Sequence, residues 1–230
     1  MSTLFAHRLL FGLTLLFAQT LPMTIPPRHQ ELHIPTAQQP TTLDGNCVDF
    51  DNNSVITWSE NGQMSKAFFA HDRDALLVCI QTPVGQLYER WIGVYLSTQI
   101  DAQSHEFAQR DDWSLHVNMP LGHTQTQVGD GIGNYQNAIA VWQGQRTLGE
   151  GQEAAEFRLP LYGLHIGECG RPFRIAVAHQ WVNAVAEDYF WPDDAAFNKP
   201  ATWTVATMTN TLCPENLTQR LFVPLFFYSD

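Results

Sequence analysis

Residues 112–119 read DWSLHVNM. Trp113, Leu115, Val117 and Met119 alternate with Ser114, His116 and Asn118. A two-residue period puts the two sets on opposite sides of an extended chain. The stretch therefore predicts a half-buried strand with its apolar side in a core. The same logic runs outward from it. In EAAEFRLP (153–160), Ala155, Phe157 and Leu159 face one way and Glu156 and Arg158 the other. FRIAVAHQWV (173–182) aligns Phe173, Ile175, Val177, His179 and Trp181. ALLVCIQ (75–81) and RWIGVYL (90–96) are apolar on both sides, as central strands of packed sheets are. KAFFAHD (66–72), AIAVWQG (138–144), ATWTVAT (201–207) and RLFVPLFF (220–227) read as further strands. Pro224 places the last of these at a sheet edge. A short helical turn is predicted after Pro160, and helical periodicity is otherwise almost absent. About eight to ten short strands with turn signals between them predict an all-β fold, an antiparallel β-sandwich of jelly-roll type.

The ends and the charge bound the biology. Residues 1–22, with Arg8 before the apolar run Leu9–Ala18, read as a secretory signal, the run being short for a membrane span. A membrane association is expected only if this segment stays attached. Residues 23–42 form an extended leader, 43–213 the sandwich, and 214–230 a tail with an edge strand able to meet a protein partner. The formal net charge of −11 disfavours nucleic acid and anionic lipid as partners. Four cysteines without a Cys-x-x-Cys pair suit an exported chain with two disulfides. Three pairings are possible, and Cys47–Cys79 with Cys169–Cys213 is favoured. The expected location is extracellular.

An ordered series of short motifs carries a resemblance. It runs through Leu43, Asp44, Gly45 and Trp58, then Ala70, Asp72, Leu76, Leu77 and Val78, then Tyr95. It continues with Glu156, Leu159 and Pro160, and closes with Trp191, Pro192, Pro200 and Trp203. The set, spanning about residues 36–208, resembles the family 9 carbohydrate-binding modules and their relatives in the DOMON-like β-sandwich group. Ser97 stands where that family often has an acid. The resemblance implies a binding module without chemistry of its own, serving as an accessory to glycoside hydrolases, and it raises the prospect of structural calcium.

Residues 187–203, EDYFWPDDAAFNKPATW, are the candidate recognition segment. They show no strand or helix period and are expected to form a loop. Flat rings cover the apolar faces of pyranoses, and carboxylates and amides bond their hydroxyls. Trp191 and Tyr189 with Asp188, Asp193 and Asn198 supply that mixture, joined by Trp181, Asn183 and Gln180 from the preceding strand. Trp203 and Trp181 also read as core residues, and His179 as a satisfied core histidine. Asp49, Asp51 and Asp72 are the calcium candidates, though no twelve-residue calcium loop is present. Taken singly, the same acids read more readily as solvated turns, Asp72 in a hairpin turn after KAFFAH. No paired nucleophile and base or Gly-x-Ser-x-Gly element marks an enzyme. A haem-binding electron-transfer domain is the second reading, with Met64, Met119, His165 and His179 as its raw material, and haem is not expected. An extracellular surface or assembly protein using the Leu221–Asp230 tail is the third.

Overall fold

The structure, a computed structural model, describes residues 31–50, 55–60, 62–72, 74–84, 89–98, 100, 107–182 and 187–211. Two packed sheets form a β-sandwich. The larger contains β1 (Leu32–Ile34), β5 (Glu89–Ser97), β6 (Asp112–Asn118), β7 (Thr124–Gly129), β8 (Tyr135–Asn137), β11 (Phe173–Val182), β12 (Glu187–Trp191) and β13 (Thr204–Met208). Its order is β1-β13-β11-β5-β6-β7-β8, with β12 paired to β11. The smaller sheet runs β2 (Val55–Glu60), β3 (Gln63–His71), β4 (Ala75–Pro83), β10 (Gln152–Pro160), β9 (Gln143–Leu148). Every pairing between these strands is antiparallel except β1 with β13. A four-residue helix, α1 (Leu161–Leu164), follows Pro160 as the sequence predicts.

The apolar sides found by periodicity meet between the sheets. Leu115, Val117, Phe157, Leu159, Phe173, Ile175 and Val177 all lie in one core with Phe69, Val78 and Val94. The expected half-buried strand at 112–119 differs in one respect. Its polar side, Ser114, His116 and Asn118, is buried as well. The reason is tertiary, because a loop and neighbouring rings cover the outer side of this sheet.

Two other expectations are corrected. Glu187–Trp191 is a strand and not a loop: it forms a hairpin with β11, pairing Val177 with Trp191 and His179 with Tyr189. Both its sides carry rings, so no two-residue period was visible. Residues 138–142 are not a strand. There the chain passes from β8, at the edge of one sheet, to β9, at the edge of the other, with Ile139 and Val141 exposed.

Cys47 and Cys79 are bonded, tying the turn at Cys47–Asp49 to the central strand β4. Cys213 lies outside the described residues, and Cys169 is not a free thiol. The Asp-Gly pair of the resemblance has a structural task. The N–H groups of Asp44 and Gly45 both donate to Glu156 Oε2, at 2.7 and 2.6 Å. Gly45 has φ +82°, and a Cβ there would sit 2.4 Å from the Arg146 backbone, so only glycine fits. Among the described residues no helix is long and apolar enough to cross a membrane.

Candidate binding trough on the outer face of the larger sheet

Strand register lays out the outer face in rows. Gln180 on β11 pairs with Trp91 on β5, which pairs with Asn118 on β6. In the next row stand Ala178, Gly93, His116 and, on β7, Gln125. The third row is Ala176, Tyr95, Ser114, Gln127 and Asn137. Beyond it Gly129 pairs with Tyr135 on β8. The middle rows carry the short side chains Ala176, Ala178, Gly93 and Ser114, so the face sinks there between larger neighbours. The result is a cavity of about 320 Å³, with Trp91 at one end and Tyr135 and Phe197 at the other.

The floor is aromatic and polar at once. The His116 ring lies against Gly93, where any Cβ would fall 3.1 Å from Nε2. Tyr95 and Trp91 meet that ring edge-on, with centroids 5.3 and 6.2 Å away. Ser114 Oγ and His116 Nε2 share a hydrogen bond of 2.6 Å. Ser114 and Gln180 both bond the Tyr95 hydroxyl. Gln180 Nε2 in turn donates to Asp188 Oδ1 at 3.2 Å. A hydrogen-bonded line thus crosses four strands, Asp188–Gln180–Tyr95–Ser114–His116.

Burial sets the protonation of these groups. It pushes the His116 imidazole down to about 4, so the ring is neutral at pH 7. Burial, and then Asp188, push the Tyr95 hydroxyl up, and it stays a phenol. Desolvation raises the Asp188 carboxyl. Phenol, hydroxyl, neutral imidazole and amides offer both donors and acceptors, the requirement for reading hydroxyl groups.

The candidate segment 187–203 divides across the sheet. Its Tyr189 and Trp191 point inward and pack on the core, the Trp191 ring 6.2 Å from Phe69. Phe190 and Trp203 point outward and pack on Tyr95, at 5.5 and 5.7 Å. Trp203 is fully buried and donates from Nε1 to the Ala196 carbonyl. Arg174 holds the same loop by donating to the carbonyls of Trp203, Ala201 and Ile100. Of the recognition candidates, Gln180 and Asp188 lie together at the trough. Asn198 anchors the loop through the Gly133 carbonyl, and Asp193 is exposed in a turn. Asn183 and the Trp181 side chain lie outside the described residues.

Sequence reasoning passed over Trp91, Tyr95, Ser114, His116, Gln125, Gln127, Tyr135 and Phe197 as binding residues. A signal existed. Ser114 and His116 form the polar side of β6, beside β5, which reads as apolar on both sides, and the adjoining outer face carries Gly93, Ala176 and Ala178. Polar groups at the centre of such a sheet call for a cover or a ligand.

The metal and haem candidates are not brought together. Asp72 caps the β3–β4 turn through the N–H groups of Asp74 and Ala75 and pairs with Arg158. Asp49 accepts from the Thr42 N–H at 3.2 Å, and Asp51 lies outside the described residues. No three His, Cys, Asp or Glu among the described residues converge as a metal site would need. Asp49 and Asp72 each serve a local turn. His179 has both ring nitrogens against carboxylates, and Met119 is buried in the core, so neither presents an axial ligand to haem.

No family model matches the chain. No curated protein matches it either. Solved structures do. A family 9 carbohydrate-binding module from Caldicellulosiruptor kristjanssonii in complex with glucose superposes with a TM-score of 0.54 at 18% identity, covering 80% of this chain and 99% of that one. The complex with cellotriose superposes equally, at 0.54 and 16% identity over 81% and 100% of the two chains. A Bacteroides uniformis ATCC 8492 protein, described as a candidate carbohydrate-binding protein, gives 0.56 at 11% identity over 78% and 99%. Across about four-fifths of its length, these superpositions show that the chain has the fold of the family 9 carbohydrate-binding modules.

Proposed function

We propose that this protein is an exported carbohydrate-binding module without catalytic activity, and that it seats a sugar in the trough on the outer face of its larger sheet. One observation carries the reading. Aromatic rings and neutral donor–acceptor groups line a single cavity of about 320 Å³, within the size range of small-ligand sites. Trp91 offers ring surface to the apolar side of a pyranose, and the buried Tyr95 ring forms part of the floor. Gln125, Gln127, Gln180 and the Ser114–His116 pair bond its hydroxyls, with Asp188 fixing the Gln180 amide. Trp191 and Tyr189 act from behind, holding β12 against the core so that Phe190 and Asp188 are set on the outer side. The fold shared with sugar-binding structures and the Cys47–Cys79 bond support the extracellular part of this reading. Structural calcium is tested in the same experiment.

The test is a glycan array probed with residues 25–230, oxidised, with calcium and then with chelator, beside the Trp91→Ala variant. Wild type should bind a defined neutral glycan. Trp91 is only half-buried, so the variant should keep its melting profile and lose affinity at least about tenfold, the scale of one lost ring contact and its area. Equal binding by a natively folded Trp91→Ala variant would remove the trough from the reading.

A further inference from the structure

We infer that the trough takes an oligosaccharide along its length, with a second sugar unit stacked on Phe197, and is not a socket for one terminal sugar. This rests on the carbohydrate reading above.

Three observations point to it. First, Phe197 is a large ring left 42% exposed at the mouth of the same cavity that Tyr95 and His116 floor. Its backbone is held on both sides. The Tyr135 hydroxyl donates to the Phe197 carbonyl at 3.1 Å, the Ala108 N–H to the Asn198 carbonyl at 2.9 Å, and the Ala196 N–H to Thr202 Oγ1 at 3.0 Å. An apolar ring on a fixed mount loses little further freedom when a ligand arrives. Second, the rings run continuously outward. Tyr135 lies 6.2 Å from Tyr95 and 6.3 Å from Phe197. Phe107, itself partly exposed, extends the line, its ring 3.2 Å from where a Gly133 Cβ would stand. Third, the two ends differ in chemistry. The Trp91 end holds the line from Asp188 to His116. The Phe197 end offers ring surface. A sugar at the first is oriented by hydrogen bonds, and one at the second is held by stacking.

Length permits it. Trp91 pairs with Asn118 at one end of β6, whereas Tyr135 pairs with Gly129 beside the other end. Six residues of strand cover about 20 Å at ~3.3 Å per residue. That exceeds the width of a single pyranose several times.

The experiment is calorimetric titration of the full chain with glucose, cellobiose and cellotriose, for wild type, Phe197→Ala and Phe197→Tyr. Cellotriose should bind wild type at least about tenfold more tightly than glucose. Phe197→Ala should cut cellotriose affinity about 3- to 10-fold, the range of one aromatic contact, and glucose affinity by a smaller factor. Phe197→Tyr should restore it. Equal wild-type affinity for glucose and cellotriose, or an unchanged ratio in Phe197→Ala, would overturn the inference and leave the module reading standing. No binding of any of the three by wild type would count against both.

Discussion

Two buried histidines stand on opposite sides of the larger sheet, and their surroundings shift their acidity in opposite directions. His116 faces outward, 6% exposed, with Ser114 as its partner across 2.6 Å. His179 faces inward and is fully buried. Its Nδ1 lies 2.7 Å from Glu60 and its Nε2 3.2 Å from Glu153. Glu153 is further clamped by Arg90, whose Nε and Nη2 donate to both carboxylate oxygens, and Glu60 accepts from Ser65. Burial alone would lower both histidines. At His179 the bonds to Glu153 and Glu60 outweigh it and raise the imidazole above its ordinary value. Glu153 is likewise held low by His179 and Arg90 against its burial. The lesson is that burial charges or discharges a group only through what is buried with it. The inner set joins strands of both sheets and serves cohesion. The outer histidine stays neutral at pH 7 and lines the trough.

The largest test of the contrast removes the inner imidazole. His179→Ala would take from Glu60 and Glu153 the ring that bonds both, leaving Arg90 on Glu153 and Ser65 on Glu60. A loss of about 3–5 kcal/mol in urea unfolding is expected, the cost of stranding a buried charge. A loss under about 1 kcal/mol would mean that the carboxylates rearrange and the set is not a unit. The corresponding outer variant, His116→Gln, should unfold close to wild type and lose affinity for sugar.

The second test is pH. His116 folds with its imidazole lowered to about 4, below the usual 6.5. The unfolded chain then binds the extra proton first. His116 therefore contributes full stability above about 6.5 and loses it as pH falls from there towards 4, by about 3 kcal/mol. Glu153, also lowered, adds to this acid loss as pH drops through its folded value. His179 runs the other way. Its raised value makes its contribution complete below 6.5, and that contribution is lost as pH climbs through the folded value. Thermal unfolding across pH 4–9 should give a maximum near neutrality, with the acid limb flattened in His116→Gln. An acid limb of the same depth in that variant would assign it to the carboxylates instead.

The smallest effect is steric. Gly93→Ala would place its Cβ 3.1 Å from the His116 ring. That is tighter than ordinary contact, and the imidazole must shift into the trough. A destabilisation of about 1–2 kcal/mol and weakened sugar binding are expected. Unchanged binding would show that the ring has room to yield.

The fold was legible because packing between sheets leaves a mark on the chain. Leu115, Val117, Phe157, Ile175 and Val177 betrayed their sides by alternation, and all five lie in the core. The Asp44-Gly45 and Glu156 signals of the resemblance are legible for a similar reason: one carboxylate oxygen bonding two backbone N–H groups against a glycine tolerates few substitutions. The site was less legible. Residues 187–203 drew attention by their rings, yet alternation in β12 sends Tyr189 and Trp191 to the core and Phe190 outward. No period was readable there because both sides are aromatic.

By itself the sequence determined the class of fold, the strands of the core and the acidic charge, since each depends on local pattern or composition. Only the tertiary structure decided where a ligand fits. Trp91, Tyr95, His116, Tyr135 and Phe197 come from three strands and a loop. They meet because register sets Gly93, Ala176 and Ala178 side by side beneath them. Register between strands distant in sequence is a property of the folded sheet, and no window along the chain contains it.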